Sequence, residues 1–160
     1  MTQLKDLSTE KLAYLAGFLD GDGSCNAQIV RRVDYRLGFQ IRVTLTFFQS
    51  TKRHWFLLKL KKEFLGCGTL RLRKDGMQGK PCLICQSVKL FLEKIQPYLL
   101  LKELQSKIVL EIYNKLSKNQ SSKDFIQLCK KVNLLESLND SKKRSIRAVD
   151  VENYLTGQKN

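Results

Sequence analysis

The sequence predicts an α+β domain, with one four-stranded antiparallel sheet backed by helices. Three observations carry that reading. Two stretches alternate apolar and polar residues with the period of a strand. Several others space apolar residues three or four apart. The order is α-β-β-α-β-β-α, followed by helices alone. A chain of 160 residues, 42% of them apolar, is long enough to bury one core.

Residues 9–20 form the first helix, with Ser8 as N-cap and Glu10 in the first turn, where the helix dipole favours a carboxylate. Gly21-Asp22-Gly23 stops it. Residues 25–33 form the first strand. The second, residues 39–49 (FQIRVTLTFFQ), has the clearest pattern in the chain. Phe39, Ile41, Val43, Leu45 and Phe47 alternate with Gln40, Arg42, Thr44, Thr46 and Phe48. Asp34 to Gly38 supply the turn of this hairpin. Residues 52–65 are helical, with Phe56, Leu60 and Phe64 four apart, until Gly66-Cys67-Gly68 breaks the run. In residues 69–74, Leu70 and Leu72 point inward and Arg71 and Arg73 outward. A Gly-containing turn at 75–79 leads to a fourth strand near 81–86. Helices follow at 88–96, halted before Pro97, and at 102–116, with Leu104, Ile108, Ile112 and Leu116 on one stripe. Two more span 123–138, through Phe125, Leu128, Val132 and Leu135, and 144–155.

Lys and Arg total 29 against 15 Asp and Glu, a formal charge of +14. A folded chain this basic suits a polyanion, with nucleic acid the first candidate and an anionic membrane surface the second. No apolar run approaches the ~20 residues of a membrane span, and MTQLKDLSTEK lacks the pattern of a secretory signal. Two prolines and nine glycines exclude a collagen or a Pro-rich linker. The five cysteines, odd in number and widely spread, argue for free thiols in a reducing compartment. Cys82 and Cys85 form a CxxC, but no second Cys or His pair exists to complete zinc's four ligands. On a strand, residues three apart also face opposite sides.

Two features carry chemistry. Asn26, Gln28, Arg32, Gln40, Arg42, Thr44, Thr46, Arg71 and Arg73 fall on the polar side of the strands. These residue types suit base edges and phosphates: Arg pairs with guanine, Asn and Gln with adenine, and Thr with either base edge or a thymine methyl. A solvated sheet face gives the same pattern without any ligand. The second feature is the small-residue spacing Ala13, Gly17, Gly21 on one helical face. Glycine in a helix interior costs about 1 kcal/mol relative to alanine, which makes sense where another backbone approaches closely. The helix ends in two carboxylates, Asp20 and Asp22. Were the partner helix a symmetry copy, two Asp22 side chains would meet near the axis, and a cation between them would relieve their repulsion. The alternative is an ordinary polar turn.

Residues 15–23, LAGFLDGDG, resemble the motif that names the LAGLIDADG homing endonucleases, matching it at Leu15, Ala16, Gly17, Asp20, Asp22 and Gly23. The resemblance extends from about residue 12 through RHWF at 53–56, IQPYL at 95–99 and LND at 138–140, and is strongest to single-motif, intron-encoded enzymes of chloroplasts. It implies the αββαββα LAGLIDADG fold in a single domain, residues 1–160, with a core over about 8–138 and a helical extension over about 139–160.

The resemblance implies a homodimer formed through the motif helix (residues 13–21), with each sheet a curved saddle in the DNA major groove. The two-fold protein would mirror a long, nearly palindromic duplex site and cut across the minor groove to leave short 3′ overhangs. Asp22 would be the metal ligand, helped by the carbonyl of Gly21. Magnesium suits such a site, with manganese substituting and calcium supporting binding without cleavage. Gln49, Arg53 and Lys102 would surround the attacking water, the two cations offsetting charge on the phosphorus. Ser24, Tyr35 and Lys80 complete the DNA-contact candidates. An organelle, the chloroplast before the mitochondrion, is the expected location, and no membrane partner is expected. Two alternatives stay open on the same fold: an intron RNA maturase, for which intron RNA would be the partner, and a DNA-binding regulator that does not cleave.

Overall fold

The computed structural model describes residues 7–75, 78–85, 87–139 and 145–157. The elements are α1 (Thr9–Asp22), β1 (Gly23–Arg31), β2 (Phe39–Phe48), α2 (His54–Lys59), β3 (Thr69–Asp75), β4 (Gln78–Cys85), α3 (Val88–Ile95), α4 (Glu103–Lys115), α5 (Ser122–Leu138) and α6 (Ala148–Thr156). One antiparallel sheet runs in the order β1-β2-β4-β3. This is the α+β architecture expected. Two compact units divide the chain, residues 1–25 with 44–106 and residues 26–43 with 107–160.

In the first unit, α1 packs against α3 and the 3₁₀ turn Gln96–Tyr98. Phe18 joins the helix to the sheet: its ring stacks on Phe47, 5.5 Å between centroids, and meets Phe56 edge-on at 5.2 Å. Phe47 in turn meets Phe91 of α3 at 5.9 Å. β4 pairs with β2 through Leu45–Cys85 and Phe47–Leu83, and with β3 through Leu70–Leu83 and Arg71–Cys82. Cys82 therefore shares a face with Phe48, and Cys85 the opposite face with Leu45, as their spacing predicts. None of the five cysteines is in a disulfide. In the second unit α5 packs on α6. Phe125, Leu128, Val132 and Leu135 are all buried, as their stripe predicts.

Several boundaries move. The first helix does not stop before Gly21-Asp22-Gly23. It runs through Asp22, and the Gly23 N–H closes it on the Leu19 carbonyl. The chain then enters β1 directly, so no turn separates them. Gly23 is required there, because a Cβ would lie 2.7 Å from the Leu19 carbonyl oxygen. Ser8 holds the N-cap position but makes no capping bond to the backbone. Its hydrogen bond instead holds the Glu10 carboxyl below the usual range.

The helix expected over 52–65 is composite: a 3₁₀ turn Thr51–Arg53, then α2, then a π-helical turn Leu60–Leu65. The wider turn brings Leu65 rather than Phe64 fully into the core, and left-handed Gly66 ends it. β4 begins at Gln78, so Lys80 lies on a strand opposite Arg73. The tip of that turn, residues 76–77, and the strand end at Gln86 lie outside the described residues. Leu72 is 68% exposed rather than inward: it shares a face with Leu70, but toward the far end of the edge strand β3 that face is left uncovered among the described residues. Leu104, in the first turn of α4, is also 55% exposed, and the buried stripe there is Ile108, Val109 and Ile112. The last helix begins at Ala148, where the Arg147 N–H bonds to the Asp150 carboxylate at 2.7 Å; residues 140–144 lie outside the described residues.

Candidate active site and nucleic-acid interface

The motif helix has two faces. Leu15, Ala16, Leu19 and Asp20 are buried, while Ala13, Gly17, Gly21 and Asp22 are exposed. A Cβ added at Gly17 or Gly21 would find nothing within 4 Å. The small-residue face is therefore open in the single chain.

The two carboxylates at its end have separate surroundings. Asp20 is 8% exposed and turns inward. Its Oδ2 accepts from the backbone N–H of Leu100 at 2.8 Å and Leu101 at 3.1 Å, and its Oδ1 from that of Lys102 at 2.9 Å. Three amides converging on one carboxylate fix the segment after the 3₁₀ turn against the end of α1. Asp22, two residues on, is exposed and has no side-chain hydrogen bond or ion pair among the described residues.

The last carbonyls of a helix lack partners within it. The Leu19 carbonyl takes the Gly23 N–H, and the Asp20 carbonyl takes the Lys102 ammonium. Those of Gly21 and Asp22 follow at the exposed end. A carboxylate with no partner beside helix-end carbonyls is the oxygen donor set that a hard cation such as magnesium accepts, with water and phosphate oxygens completing the shell. Burial pushes the Cys25 thiol up to about 12, so this residue beside Asp20 and Lys102 is a neutral packing group.

Lys102 thus stands at the end of the motif helix, held there by Asp20. Gln49 immediately follows β2; its N–H donates to the Pro81 carbonyl at 3.2 Å, and its Oε1 accepts from the Ser50 N–H at 2.9 Å. Arg53 ends the 3₁₀ turn, exposed. Neither makes a hydrogen bond or ion pair with Asp22 among the described residues.

The DNA-contact candidates follow the strand pleat. On β1, Cys25, Ala27 and Ile29 are buried while Ser24, Asn26 and Gln28 are half-buried on the other side. On β2, Arg42 is exposed and Gln40, Thr44 and Thr46 are half-buried, opposite the buried Phe39, Ile41, Leu45 and Phe47. Arg71 is exposed on β3, and Arg73 stands opposite Lys80 in the backbone register of β3 and β4. Arg32 and Tyr35 lie in the hairpin loop. The sequence names two further acids without revealing their partners. Asp20 gives no local signal, because its partners come 80 to 82 positions later. Asp34, read as a turn residue, pairs with Arg32 only two positions away, a spacing that could have revealed it.

The motif helix thus runs straight into β1, with one carboxylate sealed in the fold and the next left exposed. Residues 15–119 match the family model described as LAGLIDADG endonuclease, and the chain belongs to that family. It is 46% identical over 145 residues to the DNA endonuclease I-CvuI of Chlorella vulgaris, covering 91% of this chain and 89% of that protein. It is 40% identical over 149 residues to the DNA endonuclease I-CreI of Chlamydomonas reinhardtii, covering 88% of each. The crystal structure of I-CvuI in complex with its target in the presence of 2 mM Ca superposes with a TM-score of 0.82, at 44% identity over 93% of this chain and 94% of that one.

Proposed function

We propose that the protein is a site-specific homing endonuclease. As a homodimer it binds a long, nearly palindromic DNA duplex and hydrolyses both strands with a divalent metal, leaving short 3′ overhangs. One observation carries this reading: of two carboxylates at the end of the motif helix, Asp20 is consumed by the fold and Asp22 is left free. A module that only binds DNA gains nothing from a free carboxylate facing phosphates, which it repels. The naming of both relatives as DNA endonucleases, and the structure of I-CvuI in complex with its target in the presence of 2 mM Ca, support the reading. We read the chain as one endonuclease domain and place it in an organelle, the chloroplast before the mitochondrion, on the resemblance to chloroplast intron enzymes.

Magnesium is the working cation in this reading, with manganese able to replace it and calcium able to support binding alone. When bound, it polarises the scissile phosphate, lowers the pKa of the attacking water and stabilises the leaving 3′ oxygen. The carboxylate of Asp22 and the carbonyl of Gly21 would hold it. Gln49 orients the attacking water through its side-chain amide. The cationic ends of Arg53 and Lys102 offset charge developing on the phosphoryl oxygens. Lys102 is held against the motif helix by Asp20, so its ammonium is placed before DNA arrives. The reaction needs no histidine base, and the only histidine in the chain is His54.

The test is selection from a randomised duplex library, with binding read in calcium and cutting in magnesium. A long two-fold site cut in magnesium supports the reading. A bound but uncut site marks a regulator, and failure to enrich any duplex points to intron RNA.

Two predictions arise here. Arg42→Ala relaxes base choice at one position per half-site, by about 1–3 kcal/mol. Equal loss at every position would make Arg42 a phosphate contact instead. Gly17→Leu leaves the single chain folded, since its Cβ meets nothing within 4 Å, but shifts sedimentation toward the monomer. A variant that still sediments as a dimer would remove the motif helix from the interface.

A further inference from the structure

The hairpin loop between β1 and β2 is fixed before any ligand is present. The Arg32 N–H donates to the Gly38 carbonyl at 2.9 Å, the Tyr35 N–H to the Arg32 carbonyl at 3.1 Å, and the Gly38 N–H to the Tyr35 carbonyl at 2.8 Å. Gly38 has φ +74°, and a Cβ there would lie 3.2 Å from the Tyr154 ring, so the loop closes only around glycine.

On this frame the Arg32 guanidinium is held by its side edge. Nε donates to Asp34 Oδ1 at 2.9 Å and Nη2 to Oδ2 at 2.8 Å. The Tyr35 ring centroid lies 5.4 Å from the guanidinium carbon. The mutual hydrogen bonds hold the Asp34 carboxyl below its ordinary range and raise the Arg32 guanidinium, so both stay charged. Both side chains are well exposed, 41% and 59%, and an exposed pair contributes little to folding. Its effect is on direction. Guanidinium carries five N–H donors in one rigid plane, and Asp34 takes two along the side. The end, formed by Nη1 and the second Nη2 hydrogen, stays free. That end is the fork that pairs with O6 and N7 of guanine. An acid on a loop meant for a polyanion weakens attraction to phosphates, so its presence favours a role in aiming rather than in adhesion.

We propose that Arg32 reads a guanine in each half-site and that Asp34 is the positioning residue that aims it. This rests on the duplex-DNA reading above. It goes beyond that reading by naming the base and by giving a role to a residue outside the contact set.

The experiment is the calcium-stage selection, run with the unmutated protein, Arg32→Ala, Asp34→Ala and Asp34→Glu. Sequencing gives base frequencies at every position, and thermal melting is measured for each variant. In the unmutated protein one position per half-site is guanine. Arg32→Ala flattens preference at that position alone, by about tenfold or more. Asp34→Ala weakens guanine preference at the same position by a few-fold without lowering total affinity, because it also removes a negative charge. Asp34→Glu restores part of it, and melting is unchanged throughout.

Three outcomes overturn the assignment: even loss at all positions for Arg32→Ala, a sensitive base other than guanine, or guanine preference untouched in Asp34→Ala. A site enriched by the unmutated protein with no Arg32-sensitive guanine defeats this assignment alone. No enriched duplex at all defeats the DNA reading and this with it.

Discussion

Asp22→Asn binds the target duplex in calcium as the unmutated protein does and does not cut it in magnesium. The amide keeps the size of the side chain but removes the charge that draws a hard cation. Because Asp22 is exposed and has no side-chain partner among the described residues, nothing in the fold depends on its charge. Melting temperature should stay put while the cleavage rate falls by several orders of magnitude. Plasmid cleavage beside gel-shift titration reads both quantities. Cutting at a normal rate would remove Asp22 from the metal site.

The neighbouring acid gives the opposite result. Asp20→Ala destabilises the protein by about 3 to 5 kcal/mol, because it strips the acceptor from three amides in a buried place. That is a large share of the ~5–15 kcal/mol that holds an ordinary domain folded. Asp20→Asn is expected to lie between the two, since its carbonyl keeps one acceptor while its NH₂ faces donors. Urea denaturation of the three proteins decides the matter. A loss under about 1 kcal/mol for Asp20→Ala would mean that water replaces the carboxylate at the amides of residues 100–102. The pair of variants separates two acids that one short motif writes side by side: one should lose activity while keeping its fold, the other its fold.

Much of the fold was legible because burial imposes a period. β2 and α5 were read closely, since each places its apolar residues on one face: Phe39, Ile41, Leu45 and Phe47 in the strand, Phe125, Leu128, Val132 and Leu135 in the helix. Period gave no warning of the π-helical turn at Leu60–Leu65, where two buried leucines lie five positions apart. The expected stop at Gly21 failed because glycine permits a helix end without requiring one. The stop falls at Gly23, where a backbone oxygen 2.7 Å from the missing Cβ admits no other residue. The motif pointed to Asp22 and the wider resemblance to Lys102, but the part Asp20 plays between them depends on a segment far along the chain. Leu72 misled because alternation gives the face of a strand and not whether anything covers it.

The direct passage from α1 into β1 limits how the gene can vary. Each residue added to a helix turns everything after it by about 100° around the axis. No loop lies between Asp22 and Gly23 to absorb that rotation. One codon inserted after Leu15 would carry Asp20 off the amides of residues 100–102, bring a different side chain to the place of Asp22, and offset the strand that follows by one pleat. Point changes on the exposed side of this helix leave the chain's own packing intact. Changes in its length disturb its anchoring and, on the proposed function, the metal carboxylate and the base-facing strand together, so viable variants should differ here in letters and never in count.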